Sequence, residues 1–233
     1  MKLFLTAITA FILLGFYALP TKAFKSYTVK KTDYKIQALS ETLPDSEWDK
    51  AIYLDDFYLP WNSETPQKTS FRALHNDHYL FLRYIVEDNN IIFTDSVIED
   101  EMEIARVDRV EIFFAEDKEL RNYYCLEIDG KGHVLDYKAS YYRKFDDTWD
   151  WPDKQLYINA IVATNGYSVD VVIGKASLEN LKLLKNNVLH AGIFRGDREA
   201  DLEQGFKWIT WVVPNVKQPD FHVPSAFGIL KLE

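Results

Sequence analysis

Two tryptophans and four aspartates share the eight residues Asp146-Asp147-Thr148-Trp149-Asp150-Trp151-Pro152-Asp153. Flat apolar faces beside carboxylate acceptors suit a sugar ring, whose C–H groups pack on aromatics while its rim hydroxyls take hydrogen bonds. The stretch is too polar and too broken by Pro152 for a core strand, so it reads as an exposed loop; the competing reading folds Trp149 and Trp151 back over a sheet edge. Arg195, before Gly196, and His222, in a loop near the C-terminus, either donate to a ligand hydroxyl or tie a loop to the sheet. Trp61, after Pro60, reads as a packing residue. Asp95, Glu99, Asp100, Glu101 and Glu103 offer oxygens that would suit a hard cation such as structural calcium. They lack the fixed alternation and central glycine of an EF-hand loop, and a solvated acidic loop is the simpler reading.

Catalytic signatures are absent. The chain holds many Asp and Glu from which a glycosidase pair would be drawn, but it has no Gly-x-Ser-x-Gly elbow, His-Glu-x-x-His zinc pattern or Gly-rich phosphate loop. Among His75, His78, His133, His190 and His222, only the first two approach a metal-ligand spacing. Cys125, the single cysteine, lies between Tyr124 and Leu126 and reads as a buried packing residue. A binding role without catalysis follows, with hydrolysis of O-glycosyl bonds as the alternative.

The elements that must position these residues are strands. Short runs rich in β-branched and aromatic residues cover Tyr79 to Val86, Val110 to Ala115, Tyr123 to Ile128, Val134 to Lys138, Ile158 to Ala163, Tyr167 to Ile173, Val188 to Phe194 and Phe227 to Leu232. Asp129-Gly130-Lys131-Gly132 and Asn165-Gly166 are hairpin signals and imply antiparallel neighbours. Only Ala176 to Lys185, with Ser177 as a candidate cap, reads as a helix. The pattern predicts an all-β chain, an antiparallel β-sandwich of jelly-roll or immunoglobulin-like kind with one short helix. No repeat or linker divides it.

Met1 and Lys2 precede an apolar run from Leu3 to Leu19 and then Pro20-Thr21-Lys22-Ala23, the layout of a cleavable signal peptide over residues 1–23. Residues 24–233 are then one domain, secreted or periplasmic and free of the membrane. The formal charge of −9 becomes more negative when Lys2 and Lys22 leave with the leader. Such a surface repels nucleic acid and anionic lipid and leaves neutral or cationic ligands. With 47% hydrophobic residues, the chain can fill one sizeable core without disulfides.

Six pieces in order carry a resemblance: Trp48-Asp49-Lys50-Ala51; Phe71-Arg72-Ala73-Leu74 leading to Tyr79-Leu80-Phe81-Leu82 and Val86-Glu87-Asp88; Asp108-Arg109-Val110-Glu111-Ile112-Phe113; Tyr123 to Asp129; Ala191-Gly192-Ile193-Phe194-Arg195; and Trp208-Ile209-Thr210-Trp211 leading to Phe221 to Gly228. Over about residues 40 to 233 the chain resembles family 9 carbohydrate-binding modules. The resemblance implies a noncatalytic module that holds an oligo- or polysaccharide between two tryptophan faces, usually at a chain's reducing end, and works beside a glycan-degrading enzyme. It places Phe221 at one tryptophan position and Ala105 at the other, makes Glu111 a hydroxyl acceptor, and sets Glu127 where the family has a basic residue. The expected carbohydrate-binding set is therefore Glu111, Glu127, Trp149, Trp151, Arg195, Phe221 and His222. Related sandwiches hold haem between Met and His, but Met102, the one methionine beyond the leader, stands in the acidic run.

Overall fold

The computed structural model describes residues 24–94, 97–199 and 205–233; the leader 1–23 and Asp95 of the acidic run lie outside them. Twelve strands follow in chain order: β1 (Ser26–Lys31), β2 (Thr69–His75), β3 (Tyr79–Glu87), β4 (Arg109–Ala115), β5 (Tyr123–Asp129), β6 (Val134–Ser140), β7 (Lys144–Asp146), β8 (Leu156–Ala163), β9 (Gly166–Gly174), β10 (Val188–Arg198), β11 (Phe206–Thr210) and β12 (Gly228–Leu232). They run in the order β7-β6-β5-β4-β10-β12-β1-β2-β3-β9-β8, with β11 beside β10. β1 is the corner of this curled sheet. Its Ser26–Val29 half pairs with β12 and its Lys30–Lys31 end with β2, both in parallel, whereas the other strand pairs described are antiparallel. The β-sandwich expected from the sequence is thus present, with a parallel corner that short-range patterning gave no reason to expect.

Period two sets the layers. Val110, Ile112 and Phe114 of β4, Leu126 and Ile128 of β5, and Ala191 and Ile193 of β10 face Phe71, Leu82, Tyr84, Val169 and Val171 across the main core. The alternate residues Phe113, Tyr123, Cys125, Tyr137 and Phe194 point to the opposite face. That face is not left to water. The 3₁₀ segment Glu101–Arg106 and the chain carrying Phe221, Val223, Ala226 and Phe227 lie over it, which is why β4 and β5 are buried along their whole length.

Turn chemistry explains the joints. Asp129 Oδ1 accepts from the backbone N–H of Lys131 and of His133, both at 2.9 Å, and fixes the β5–β6 hairpin. In the β8–β9 hairpin Ala163 pairs with Gly166, so the two-residue loop is Thr164-Asn165, one position earlier than the Asn165-Gly166 turn expected. A Cβ on Gly166 would lie 1.9 Å from the carbonyl oxygen of Val86, and its φ is +149°, so only glycine lets the strand end approach β3. The helix expected over 176–185 is shorter, Lys175–Asn180 (α2). Lys182 takes φ +59° and the N–H of Leu183 reaches the carbonyl of Leu178 at 2.8 Å, a Schellman stop clamped by the buried Leu178 and Leu183. Ser177 is inside this helix, donating to Gly174, and does not cap it. A further short helix, Asp45–Trp48 (α1), buries Trp48.

Candidate functional site

On the outer face of β4 and β5, Glu111 stands directly across the ladder from Glu127, and Arg109 lies two residues along from Glu111 on the same face. The Arg109 guanidinium joins the two carboxylates: Nε donates to Glu127 Oε2 at 2.5 Å and Nη2 lies 3.0 Å from Glu111 Oε1. Nη1 donates to the carbonyl oxygens of Ala105 and Val107 at 3.2 and 3.3 Å, and the Tyr137 hydroxyl donates to Glu127 Oε1 at 2.7 Å. Gly196, opposite Arg109 on β10, makes room for the fork: a Cβ there would lie 2.9 Å from Nη1. The guanidinium also lies 5.0 Å from the Phe206 ring and 5.5 Å from the Trp208 ring.

This fork forms the floor of a cleft of about 370 Å³ bordered by Ala105, Arg143, Trp208, Pro219, Asp220, Phe221 and His222. Phe221 stacks on Phe194 at 4.1 Å and 9°, and Trp208 meets it edge-on at 5.5 Å. The closing loop is pinned by Asp220, which accepts from the His222 backbone N–H, from Arg143 and from the Tyr142 hydroxyl. His222 stacks on Phe113 at 5.3 Å, and its Nδ1 lies 3.1 Å from the Tyr123 hydroxyl.

Burial and the neighbouring Glu127 charge raise the Glu111 carboxyl well above the ordinary glutamate range, with Arg109 opposing them, and its Oε1 has no hydrogen-bond donor of good geometry. Burial, aided by Arg143, lowers His222 to about 4. The imidazole is therefore neutral near pH 7, able to accept as well as donate. The cleft so combines a fixed cation, a carboxyl group with an unfilled hydrogen-bond position, a neutral imidazole and aromatic edges.

Of the residues expected from sequence, Glu111, Glu127, Phe221 and His222 meet here. Three do not. Arg195 follows the outward Phe194 and so points inward; it is fully buried, with Nη2 at 2.8 Å from Asp88 Oδ2 and 3.2 Å from Asp197 Oδ1. It ties the strand to the neighbouring sheet, the second of its two readings. Trp151 is 6% exposed and packs on Phe114, while the half-buried Trp149 lies 4.8 Å from Tyr124. The loop's Asp146, Asp147, Asp150 and Asp153 are exposed as expected, but its tryptophans fold back to close one end of the main core, on the side of β4 opposite Glu111, where Asp136 accepts from the Trp151 backbone N–H. Trp61 packs at 6.1 Å from Phe221 and donates from Nε1 to the Val216 carbonyl.

Arg109, Tyr137, Arg143, Trp208 and Asp220 were not anticipated as site residues. Two-residue spacing marks Arg109 as the partner of Glu111 on one strand face, and the Asp129 hairpin gives Tyr137 a place beside Glu127; nothing local marks Trp208.

Two acidic groups bring ligand oxygens within 4.8 Å of one another: Asp88, Asp108 and Asp197, all buried, and Glu101, Asp136 and Asp150. In the first, Asp88 and Asp197 already pair with the Arg195 guanidinium, and burial raises Asp108 to about 7 and Asp197 to about 6. Among the described residues, only Glu101 of the acidic run enters either group.

The chain belongs to the carbohydrate family 9 binding domain-like family, whose pattern matches residues 40–233. It is similar in structure to a Bacteroides uniformis protein described provisionally as carbohydrate-binding, with TM-score 0.72 and 18% identity over 91% of this chain and 100% of that one. It is also similar to a family 9 carbohydrate-binding module of Caldicellulosiruptor kristjanssonii. The form in complex with cellotriose gives TM-score 0.57 and 17% identity over 90% and 94% of the two chains, and the form with glucose gives 0.53 and 18% over 90% and 96%. Among curated proteins, none matches the chain.

Proposed function

We propose that this domain binds carbohydrate without chemical turnover, in the cleft over Arg109, Glu111 and Glu127. The observation that carries the reading is the buried fork itself. Two carboxylates and a guanidinium, oriented before any ligand arrives beneath the rings of Trp208 and Phe221, suit a neutral polyol, whose hydroxyls both donate and accept. The family, and the cellotriose and glucose held by solved relatives, support the same ligand class. Glycoside hydrolysis asks for two carboxyl groups on either side of the scissile bond, at least about 5 Å apart. Here both are drawn onto one guanidinium from facing positions of adjacent strands, which favours holding over cutting. The leader-like residues 1–23 add export, as a secreted or periplasmic module acting beside a glycan-degrading enzyme on another chain.

Affinity electrophoresis and calorimetry of the domain from Phe24 onward, against glucans, xylans, mannans and microbial polysaccharides, test this reading. Saturable retention by one class, no reducing sugar released, and loss of retention on Trp208→Ala with an unchanged unfolding midpoint are the expected results. Release of sugar, or full retention by Trp208→Ala, would overturn it.

A further inference from the structure

The cleft does not stand alone. It shares Ala105, Glu127, Arg143 and His222 with a second hollow of about 250 Å³ that continues over Leu135, Tyr137 and Phe145. On its other side it shares Trp208 and Pro219 with a third, of about 730 Å³, bordered by Trp61, Asn62, Lys217 and Gln218. The three adjoin in a line across the strands. From β6 through β5, β4 and β10 to β11 the line crosses four ladder spacings. That is about 19 Å, the length of about four pyranose rings in an extended chain. The segment bearing Trp61 lies beyond, joined to β11 by the Tyr58–Thr210 bridge.

Ala105 decides how the line is used. It borders both the central cleft and the second hollow. A large ring there would separate the two spaces; a methyl group joins them. Aromatic rings that are not buried are then spread along the whole length, with Phe145 on one side, Trp208 at the centre and Trp61 on the other side, while the buried Tyr137 and Phe221 lie under them. Stacking surfaces distributed in this way gain contact with each added sugar ring. A pocket for a chain end concentrates its contacts on one ring.

We infer that the groove takes an internal stretch of a linear polysaccharide lying across the strands, and not a chain terminus. This rests on the carbohydrate reading above and adds which part of the polymer is recognised. The experiment is calorimetry with oligosaccharides from disaccharide to hexasaccharide, cut from the polysaccharide that the domain retains, each also tested as its borohydride-reduced alditol. The expected result is a rise in affinity of about tenfold or more from disaccharide to hexasaccharide, with the reduced hexasaccharide bound as tightly as the unreduced one. Ala105→Trp should shrink that length dependence. Equal affinity for all lengths, or loss of binding on reduction of the chain end, would overturn the inference while leaving carbohydrate binding in place. Retention of no polysaccharide would remove the carbohydrate reading and this inference with it.

Discussion

Arg109→Met removes the one cation between Glu111 and Glu127 while keeping most of the side-chain bulk. Both carboxylates are buried, at 2% and 5% exposure, and they face each other across one ladder. Removing one member of a buried ionic group costs about 3–5 kcal/mol, because the charges left behind can neither pair nor reach water. The Tyr137 hydroxyl still serves Glu127, so Glu111, already raised by burial and by its neighbour, is the group driven further towards its neutral form. A carboxyl whose folded pKa lies above its unfolded value contributes fully below the unfolded value and loses that contribution as pH rises through the folded one. Below neutrality Glu111 is neutral with or without Arg109, so the deficit of the variant should be smaller near pH 6 and grow towards pH 9, where only the parent ionises it, up to about 3–5 kcal/mol. Urea unfolding followed by tryptophan fluorescence measures it at both values. Arg109→Met/Glu127→Gln, which leaves a single carboxyl, should lose most of the added pH dependence. A deficit below about 1 kcal/mol at both pH values, or one that does not change with pH, would refute the view that Arg109 favours charge on these carboxyls in a dry site.

Trp151→Ala should cost about 3–5 kcal/mol by opening a cavity beside Phe114, with glycan affinity of the folded fraction retained; affinity lost at unchanged stability would return the site to that loop. Arg195→Met should destabilise by a similar amount, about 3–5 kcal/mol, by stranding Asp88 and Asp197, and adding Asp88→Asn should recover part of it in the same urea assay. His222, lowered to about 4 by burial, contributes stability that is complete above the ordinary histidine value and lost as pH falls towards about 4. His222→Gln should flatten the urea midpoint over that acid range, and an unchanged slope would show the imidazole to be solvated.

Strands, hairpins and the inward–outward alternation follow from neighbours in sequence, because period two and turn chemistry act within a few residues. They make β3 to β6 and β8 to β10 legible, and they put Glu111 on the face opposite Val110 and Ile112. The same alternation also makes Arg195 an inward residue once Phe194 is outward, although the polar character of an arginine suggests the reverse. The parallel corner at β1 joins Ser26 to Ile229 near the other end of the chain and Lys30 to Leu74, and no local pattern reports such pairings. The fate of the Trp149–Trp151 loop was equally hidden. Its acids and proline describe an exposed turn, and only the distant Asp136, accepting from the Trp151 backbone, brings the indole into the core. Trp208 became a wall of the cleft because Gly196 lets the Arg109 fork lie beside it, a contact between three strands. Sequence alone thus settled which residues share a strand face and which family the chain resembles. Which faces are covered, which charges meet and where the groove runs were decided by packing across the sheet, since burial and pairing belong to the whole fold and not to any one segment of it.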